Sequence, residues 1–89
     1  MKLYKKKISL REKLKSTKLV RLMGAHDGLT AKLIGEAGFE GVWASGLEIS
    51  ASYGVPDANI LTMTQYLAKA TEMTDATSIP VIADCDTGY

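Results

Sequence analysis

Three short apolar runs, separated by two stretches of helical periodicity, constrain the fold of this chain more than any other feature. The runs at residues 19–23, 41–45 and 81–83 are brief, rich in branched apolar residues and followed by polar residues or glycine, as buried strands are. Between them, apolar residues recur on one helical face, at Leu29, Leu33, Ile34 and Ala37 and again at Met63, Tyr66, Leu67, Ala70 and Met73. Strands that alternate with helices predict a parallel α/β sheet.

Two capping boxes mark where helices should begin. Ser9 precedes Glu12 by three residues, and Thr62 precedes Gln65 by the same spacing, so each pair can satisfy free N–H groups of a first helical turn. We therefore predict a short first helix, then β-α-β-α-β. Residues 46–61 form a connection longer than most strand-to-helix loops, which makes it a functional candidate.

The predicted fold class is α/β, the N-terminal portion of a (β/α)8 TIM-type barrel. Such a barrel needs roughly 250 residues, and three strands are less than half of one. A parallel sheet also needs cover on both faces, and the chain has no helix after its third strand. We expect residues 1–89 to be the first three strands of one barrel domain whose remainder is absent. The alternative is a complete three-stranded α/β unit.

Composition excludes several classes of protein. The net charge of +1 gives no overall field for nucleic acid, and no apolar run reaches the length of a membrane span. One cysteine allows no internal disulfide, which favours a reducing, cytoplasmic setting. Nine of the eleven Lys and Arg lie in residues 1–21. This basic head is either an arm for a membrane or nucleic acid, or a solvated first helix, and we favour the helix.

The last strand is followed at its carboxyl end by two carboxylates, Asp84 and Asp86. Because side chains alternate along a strand, both should lie on one face and Cys85 on the other, as a core thiol. Carboxylate and water oxygens are the ligands that Mg2+ prefers. The pair therefore predicts a metal site, with a helix cap or two surface acids as the alternative.

The carboxyl ends of the other two strands should meet this pair, because active sites of parallel α/β proteins lie at that edge. The first strand is followed by His26 and Asp27, and the second by Ser45 and Gly46. A hydroxyl followed by glycine can hold an anion through the backbone, or can simply form a turn. Two other side chains are expected near this edge. We expect Trp43 to form part of the pocket wall, and Asp57 is of a type that commonly occurs in turns.

Several segments in order resemble the phosphoenolpyruvate mutase/isocitrate lyase superfamily, and within it the mutases and phosphonopyruvate hydrolases. They are residues 24–33 (GAHDGLTAKL), 41–47 (GVWASGL), 50–59 (SASYGVPDAN) and 83–89 (ADCDTGY). The resemblance extends from about residue 8 to residue 89. Ala44 is a small departure, because mutases commonly carry glycine there.

The resemblance implies a Mg2+-dependent enzyme acting on α-keto acids or their enolates, in an (α/β)8 barrel that assembles as a homo-oligomer, a dimer or tetramer. It implies that Asp84 is a direct metal ligand and that Asp86 acts through water. It also implies a catalytic role for Asp57 near the metal. Substrate binding is implied for a further group of residues, namely Trp43, Ser45, Gly46 and Leu47.

The activity that the resemblance implies is interconversion of phosphoenolpyruvate and phosphonopyruvate. Hydrolysis of phosphonopyruvate and cleavage of a C–C bond are the enzymatic alternatives, and an inactive fragment is the non-enzymatic one. Mutase and hydrolase differ in whether a lid excludes water. In this family that lid follows the third strand, so we expect the 89 residues alone to be inactive. No nucleic-acid or membrane partner is expected.

Overall fold

The structure, a computed structural model, describes residues 9–16 and 19–88. This part of the chain forms three strands and four helices, which is one helix more than the prediction. The helices are α1 (Leu10–Ser16), α2 (Gly28–Glu36), α3 (Gly46–Ser52) and α4 (Met63–Ala76). The strands are β1 (Leu22–Ala25), β2 (Gly41–Ala44) and β3 (Val81–Ala83). The α/β prediction is confirmed. Within the basic head at residues 1–21, helix α1 has no buried residue, as a solvated helix should, whereas residues 1–8, 17 and 18 lie outside the described residues.

The capping predictions are confirmed in detail. At the first helix, Glu12 N–H donates to Ser9 Oγ at 3.1 Å, and Ser9 N–H donates back to Glu12 Oε1 at 3.3 Å. At the last helix, Thr62 and Gln65 exchange the same pair of hydrogen bonds. Each helix therefore begins at the box that the sequence contains.

Two boundaries differ from the prediction. The first strand begins at Leu22 rather than at residue 19, because Leu22 is the residue that pairs with Gly41 at the start of β2. The connection at 46–61 is not loop throughout, since its first half is helix α3. Ser45 caps α3 by accepting from Glu48 N–H at 3.1 Å, and Ile49 of α3 is completely buried.

All strand pairing is parallel, in the order β1-β2-β3. Val42 and Ala44 are completely buried in the same cluster as residues of α2 and α4. The opposite face carries Leu22, Trp43 and Ile82, which stay partly exposed. The core therefore lies between the sheet and its helices, and it consists of Ala25, Ala31, Ile34, Val42, Ala44, Ile49, Tyr66, Met73 and Ile79.

A bidentate ion pair joins the entries of β1 and β2. Arg21 Nε and Nη2 donate to Glu40 Oε1 and Oε2, each at 2.9 Å, and Arg21 N–H also donates to Oε1 at 2.8 Å. Arg21 Nη2 reaches Gly38 O at 2.9 Å as well, and the guanidinium lies 5.2 Å from the centre of the Phe39 ring. These contacts hold the two strand starts in register. The hydrogen bonds from Arg21 lower the pKa of Glu40 to about 2.

Among the described residues, none of the helices combines the length and the apolar character that crossing a bilayer requires.

We predict that Glu40→Gln lowers stability near neutral pH and that this loss disappears in acid. Because folding depresses the Glu40 pKa, its contribution is complete above the ordinary value of 4.5 and is lost as the pH falls through about 2. Thermal unfolding followed by circular dichroism, for both proteins across this range, measures the difference. Glu36→Gln, on the exposed end of α2, removes the same charge and is the control. A stability gap that does not change with pH would contradict the prediction.

Candidate active site

The carboxyl ends of the three strands place the predicted site residues at one edge of the sheet. Ser45 and Gly46 follow β2 directly, and Asp84 follows β3. Parallel pairing of Ala44 with Ala83 brings these two ends side by side. The backbone continues this pairing one step further, since Asp84 N–H donates to Ala44 O at 3.3 Å.

Three carboxylates converge on Gly46. A methyl group at the Gly46 Cα would lie 3.1 Å from Asp84 Oδ2, 3.3 Å from Asp86 Oδ1 and 3.7 Å from Asp57 Oδ1. The space that a side chain would occupy is therefore surrounded by acid oxygens from the segment after β3 and from the connection after α3. A side chain at this position would crowd two of the carboxylates. The structure thus brings together three of the predicted residues around a fourth.

Hydrogen bonds orient the carboxylate of Asp84. Gly46 N–H donates to Asp84 Oδ2 at 3.2 Å, and Asp86 N–H donates to Asp84 Oδ1 at 3.3 Å. Both oxygens are thus held by backbone donors from two different segments. The Gly46 amide therefore has a carboxylate acceptor within the chain, and its binding of a substrate anion stays a prediction.

The two aspartates meet for a reason other than strand alternation. β3 ends at Ala83, and Asp86 lies in a turn with φ of 47°, in the left-handed region. This turn, closed by Gly88 N–H donating to Cys85 O at 2.6 Å, carries the Asp86 side chain back toward Gly46. Cys85 is exposed, so the expectation of a core thiol is wrong.

The clustered acids perturb one another. Partial desolvation raises the pKa of Asp86, and the Asp84 and Asp57 carboxylates raise it further, although the side chain as a whole is exposed. Negative charge is therefore concentrated where a cation would relieve it. Within residues 9–16 and 19–88, no three Asp, Glu, His or Cys side chains alone form a metal cluster. Mg2+ usually takes one or two carboxylates and keeps several waters, so the donor chemistry at Gly46 fits it.

The other predicted residues lie on β2, at the start of α3 and at the end of β1. Trp43 is half-buried on β2, and Ser45 is buried at the start of α3. Ser45 Oγ accepts from Glu48 N–H, which leaves its own O–H proton for a further acceptor. Leu47 is 62% exposed and makes no core contact. His26 pairs with its neighbour Asp27 at 3.5 Å at the end of β1, and Asp27 caps α2 together with Thr30.

Sequence reasoning missed a second layer behind Gly46. Tyr66 of α4 was predicted only as part of an apolar helical face, yet its hydroxyl donates to Ala44 O at 2.8 Å. Tyr66, Ser50, Asn59 and Asp86 line a cavity of about 10 Å³ behind the glycine. A buried tyrosine is a signal for such a layer, because its hydroxyl needs a hydrogen-bond partner.

Comparison with known proteins gives consistent matches over almost the whole chain. A phosphonopyruvate hydrolase from Variovorax sp. (strain Pal2) is 52% identical over 91% of this chain and 28% of its own length. A 2,3-dimethylmalate lyase from Eubacterium barkeri is 48% identical over 90% of this chain and 28% of its own length. The chain thus spans less than a third of each of these relatives.

Solved structures agree with the sequence matches. A phosphoenolpyruvate phosphomutase from Streptomyces platensis subsp. rosaceus superposes with a TM-score of 0.87 and 56% identity, covering 90% of this chain and 28% of that one. A phosphonopyruvate hydrolase in complex with oxalate and Mg2+ superposes with a TM-score of 0.80 and 52% identity, over 84% of this chain and 26% of that one. The family model described as phosphoenolpyruvate phosphomutase matches residues 10–89. The chain therefore belongs to the phosphoenolpyruvate phosphomutase family, within the phosphoenolpyruvate mutase/isocitrate lyase superfamily.

Proposed function

We propose that this chain is the N-terminal part of a Mg2+-dependent phosphoenolpyruvate mutase, which interconverts phosphoenolpyruvate and phosphonopyruvate in phosphonate biosynthesis. The observation that carries the proposal is the convergence of Asp57, Asp84 and Asp86 on Gly46. The similarity to a solved phosphomutase, at 56% identity, supports the choice of reaction.

We propose further that residues 1–89 begin a (β/α)8 barrel. The strands follow one another in sequence order, with no reversal of the kind at which a doubly wound sheet binds its ligand. Helices α2 and α4 pack on one face only, while Leu22, Trp43 and Ile82 on the other face stay partly exposed. A barrel interior would bury that second face. We also propose a homo-oligomer, as the resemblance to the superfamily implies.

In the proposed site, Asp84 would hold Mg2+ directly and Asp86 would hold it through water. When bound there, Mg2+ supplies positive charge that stabilises the negative charge of a pyruvate enolate. Ser45 would donate its hydroxyl proton to the substrate, with the Leu47 backbone beside it, and Trp43 would wall the pocket. Asp57 would stand beside the transferring phosphoryl group. These roles depend on dipoles and charges already oriented in the fold, which is how electrostatic preorganisation lowers a barrier.

Hydrolysis of phosphonopyruvate is the second candidate, and the 52% identical hydrolase favours it. Both reactions need the same stabilisation of the enolate when the C–P bond breaks. They differ in what captures the phosphoryl group: the enolate oxygen gives phosphoenolpyruvate, and water gives phosphate. A C–C lyase of the same superfamily is a further alternative, supported by the 48% identical dimethylmalate lyase.

Phosphorus NMR distinguishes the candidates. We expect the protein that carries this chain in a complete barrel to convert phosphonopyruvate into phosphoenolpyruvate when Mg2+ is present. Removal of Mg2+ with a chelator should abolish the reaction, and its return should restore it. Phosphate as the sole product would replace the mutase proposal with the hydrolase. Failure to consume phosphonopyruvate would exclude both.

Asp84→Asn should remove metal-dependent turnover almost completely. The amide keeps the size of the side chain but loses the charge that a hard cation requires. The measurements are turnover and the affinity for Mn2+, used as a paramagnetic substitute in electron paramagnetic resonance. Asp75→Asn on α4 is the matched control, because it makes the same chemical change at a distance from Gly46. Equal Mn2+ affinity in the Asp84 variant and the wild type would refute the metal assignment.

Gly46→Ala tests the space between the carboxylates. Its methyl group would lie closer to Asp84 and Asp86 than ordinary contact distance, so the two acids must separate. We expect turnover to fall, because catalytic groups lose rate when they leave their productive positions. Gly38→Ala, with φ of 95° at the opposite edge of the sheet, strains the backbone without touching the carboxylates. It should lower thermal stability but keep turnover. Full activity in the Gly46 variant would argue against this geometry.

A further inference from the structure

Tyr66 lies beneath the end of β2 and has no role in the resemblance or in the proposed mechanism. It belongs to α4, and only 1% of its surface is exposed. Its hydroxyl donates to Ala44 O at 2.8 Å. Ala44 is the last residue of β2, so this helix side chain reaches the backbone immediately before Ser45 and Gly46.

The peptide unit between Ala44 and Ser45 is held from three directions. Its carbonyl oxygen accepts from Asp84 N–H on one side and from the Tyr66 hydroxyl on another. Its N–H, which belongs to Ser45, donates to Ala25 O at 3.3 Å. Two of these bonds are backbone contacts to β3 and β1, and only the bond from Tyr66 depends on the identity of a side chain.

The orientation of this peptide unit determines the atoms that follow it. Two functional groups follow it directly in the chain. Ser45 Oγ caps α3, and Gly46 N–H donates to Asp84 Oδ2. A rotation of the Ala44–Ser45 peptide would move both groups. It would also weaken the backbone bond from Asp84, so the carboxylate of Asp84 would lose two restraints together.

Tyr66 acts through the backbone rather than on the substrate. The cavity that it lines with Gly46, Ser50, Asn59 and Asp86 has a volume of about 10 Å³. That is room for about one water molecule and far too little for a keto acid. The space beside the phenol therefore does not admit the substrate.

We propose that Tyr66 is a positioning residue, whose hydrogen bond to Ala44 O sets the orientation of Ser45, Gly46 and Asp84 in the catalytic site. The inference rests on the proposed function for its kinetic consequence. The underlying arrangement, in which α4 restrains the end of β2, is independent of which reaction the site performs.

The test compares Tyr66→Phe with Tyr53→Phe in the protein that carries the complete barrel. Both variants lose one phenolic oxygen, but Tyr53 is exposed, with its ring 5.9 Å from Lys69 Nζ. The phenylalanine ring fills the space of Tyr66, and Ala44 O keeps the bond from Asp84 N–H, so the variant should fold. The measurements are the melting temperature, kcat and KM for phosphonopyruvate, and the Kd of Mn2+ without substrate.

For Tyr66→Phe we expect kcat to fall about 10-fold or more with KM unchanged, and the Kd of Mn2+ to rise, as when groups that orient metal ligands are removed. Tyr53→Phe should match the wild type in each. If Tyr66→Phe lowers only the melting temperature, while kcat and the Kd of Mn2+ stay at wild-type values, the positioning role is refuted. If the wild type itself does not turn over, the proposed function fails, and the Mn2+ affinities of the two variants still decide the role of Tyr66.

Discussion

The hydrogen bonds of the peptide unit between Ala44 and Ser45 connect β2 to both neighbouring strands and to α4, and the geometry of the candidate site depends on them. Through this peptide unit β2 contacts β1, by the bond from Ser45 N–H to Ala25 O, and β3, by the bond from Asp84 N–H to Ala44 O. The Tyr66 hydroxyl adds α4 to the same carbonyl. Parallel strands bring their carboxyl ends to one edge of the sheet. The hydrogen bonds of this peptide fix how those ends lie relative to one another. The strand pairing that builds the sheet thus also places the functional groups.

Gly46 allows negative charge to be concentrated at this edge of the sheet. With no side chain of its own, it lets three carboxylates approach from two separate segments. Partial desolvation, and then the repulsion of the neighbouring carboxylates, raises the pKa of Asp86. A cation at this position would offset that repulsion. Local strain is consistent with that reading, because Asp86 has a positive φ that few non-glycine residues adopt.

The sheet is covered unevenly. Helices α2 and α4 bury Val42 and Ala44 on one face, whereas Trp43 on the other face remains half-buried. The Arg21–Glu40 pair holds the amino ends of β1 and β2 together, far from the carboxylates. The two ends of the strands therefore differ. An ion pair stabilises the amino ends, and carboxylates of like charge lie together at the carboxyl ends. This division is what (β/α)8 enzymes use, with stability at one end of the strands and chemistry at the other.

The sequence by itself determined the element types, because their signals are local: capping boxes at Ser9 and Thr62, helical periodicity, and apolar runs. It also indicated Asp84, Asp86 and Ser45 through motifs that resemble a family. Tertiary structure alone decided the rest. Three features depend on which residues pair and which turns close. They are helix α3, the start of β1 at Leu22 and the exposure of Cys85. The approach of Asp57, Asp84 and Asp86 to Gly46, and of Tyr66 to Ala44, joins residues distant in the chain. No local pattern encodes such contacts, since they arise only when parallel pairing has brought the strand ends together.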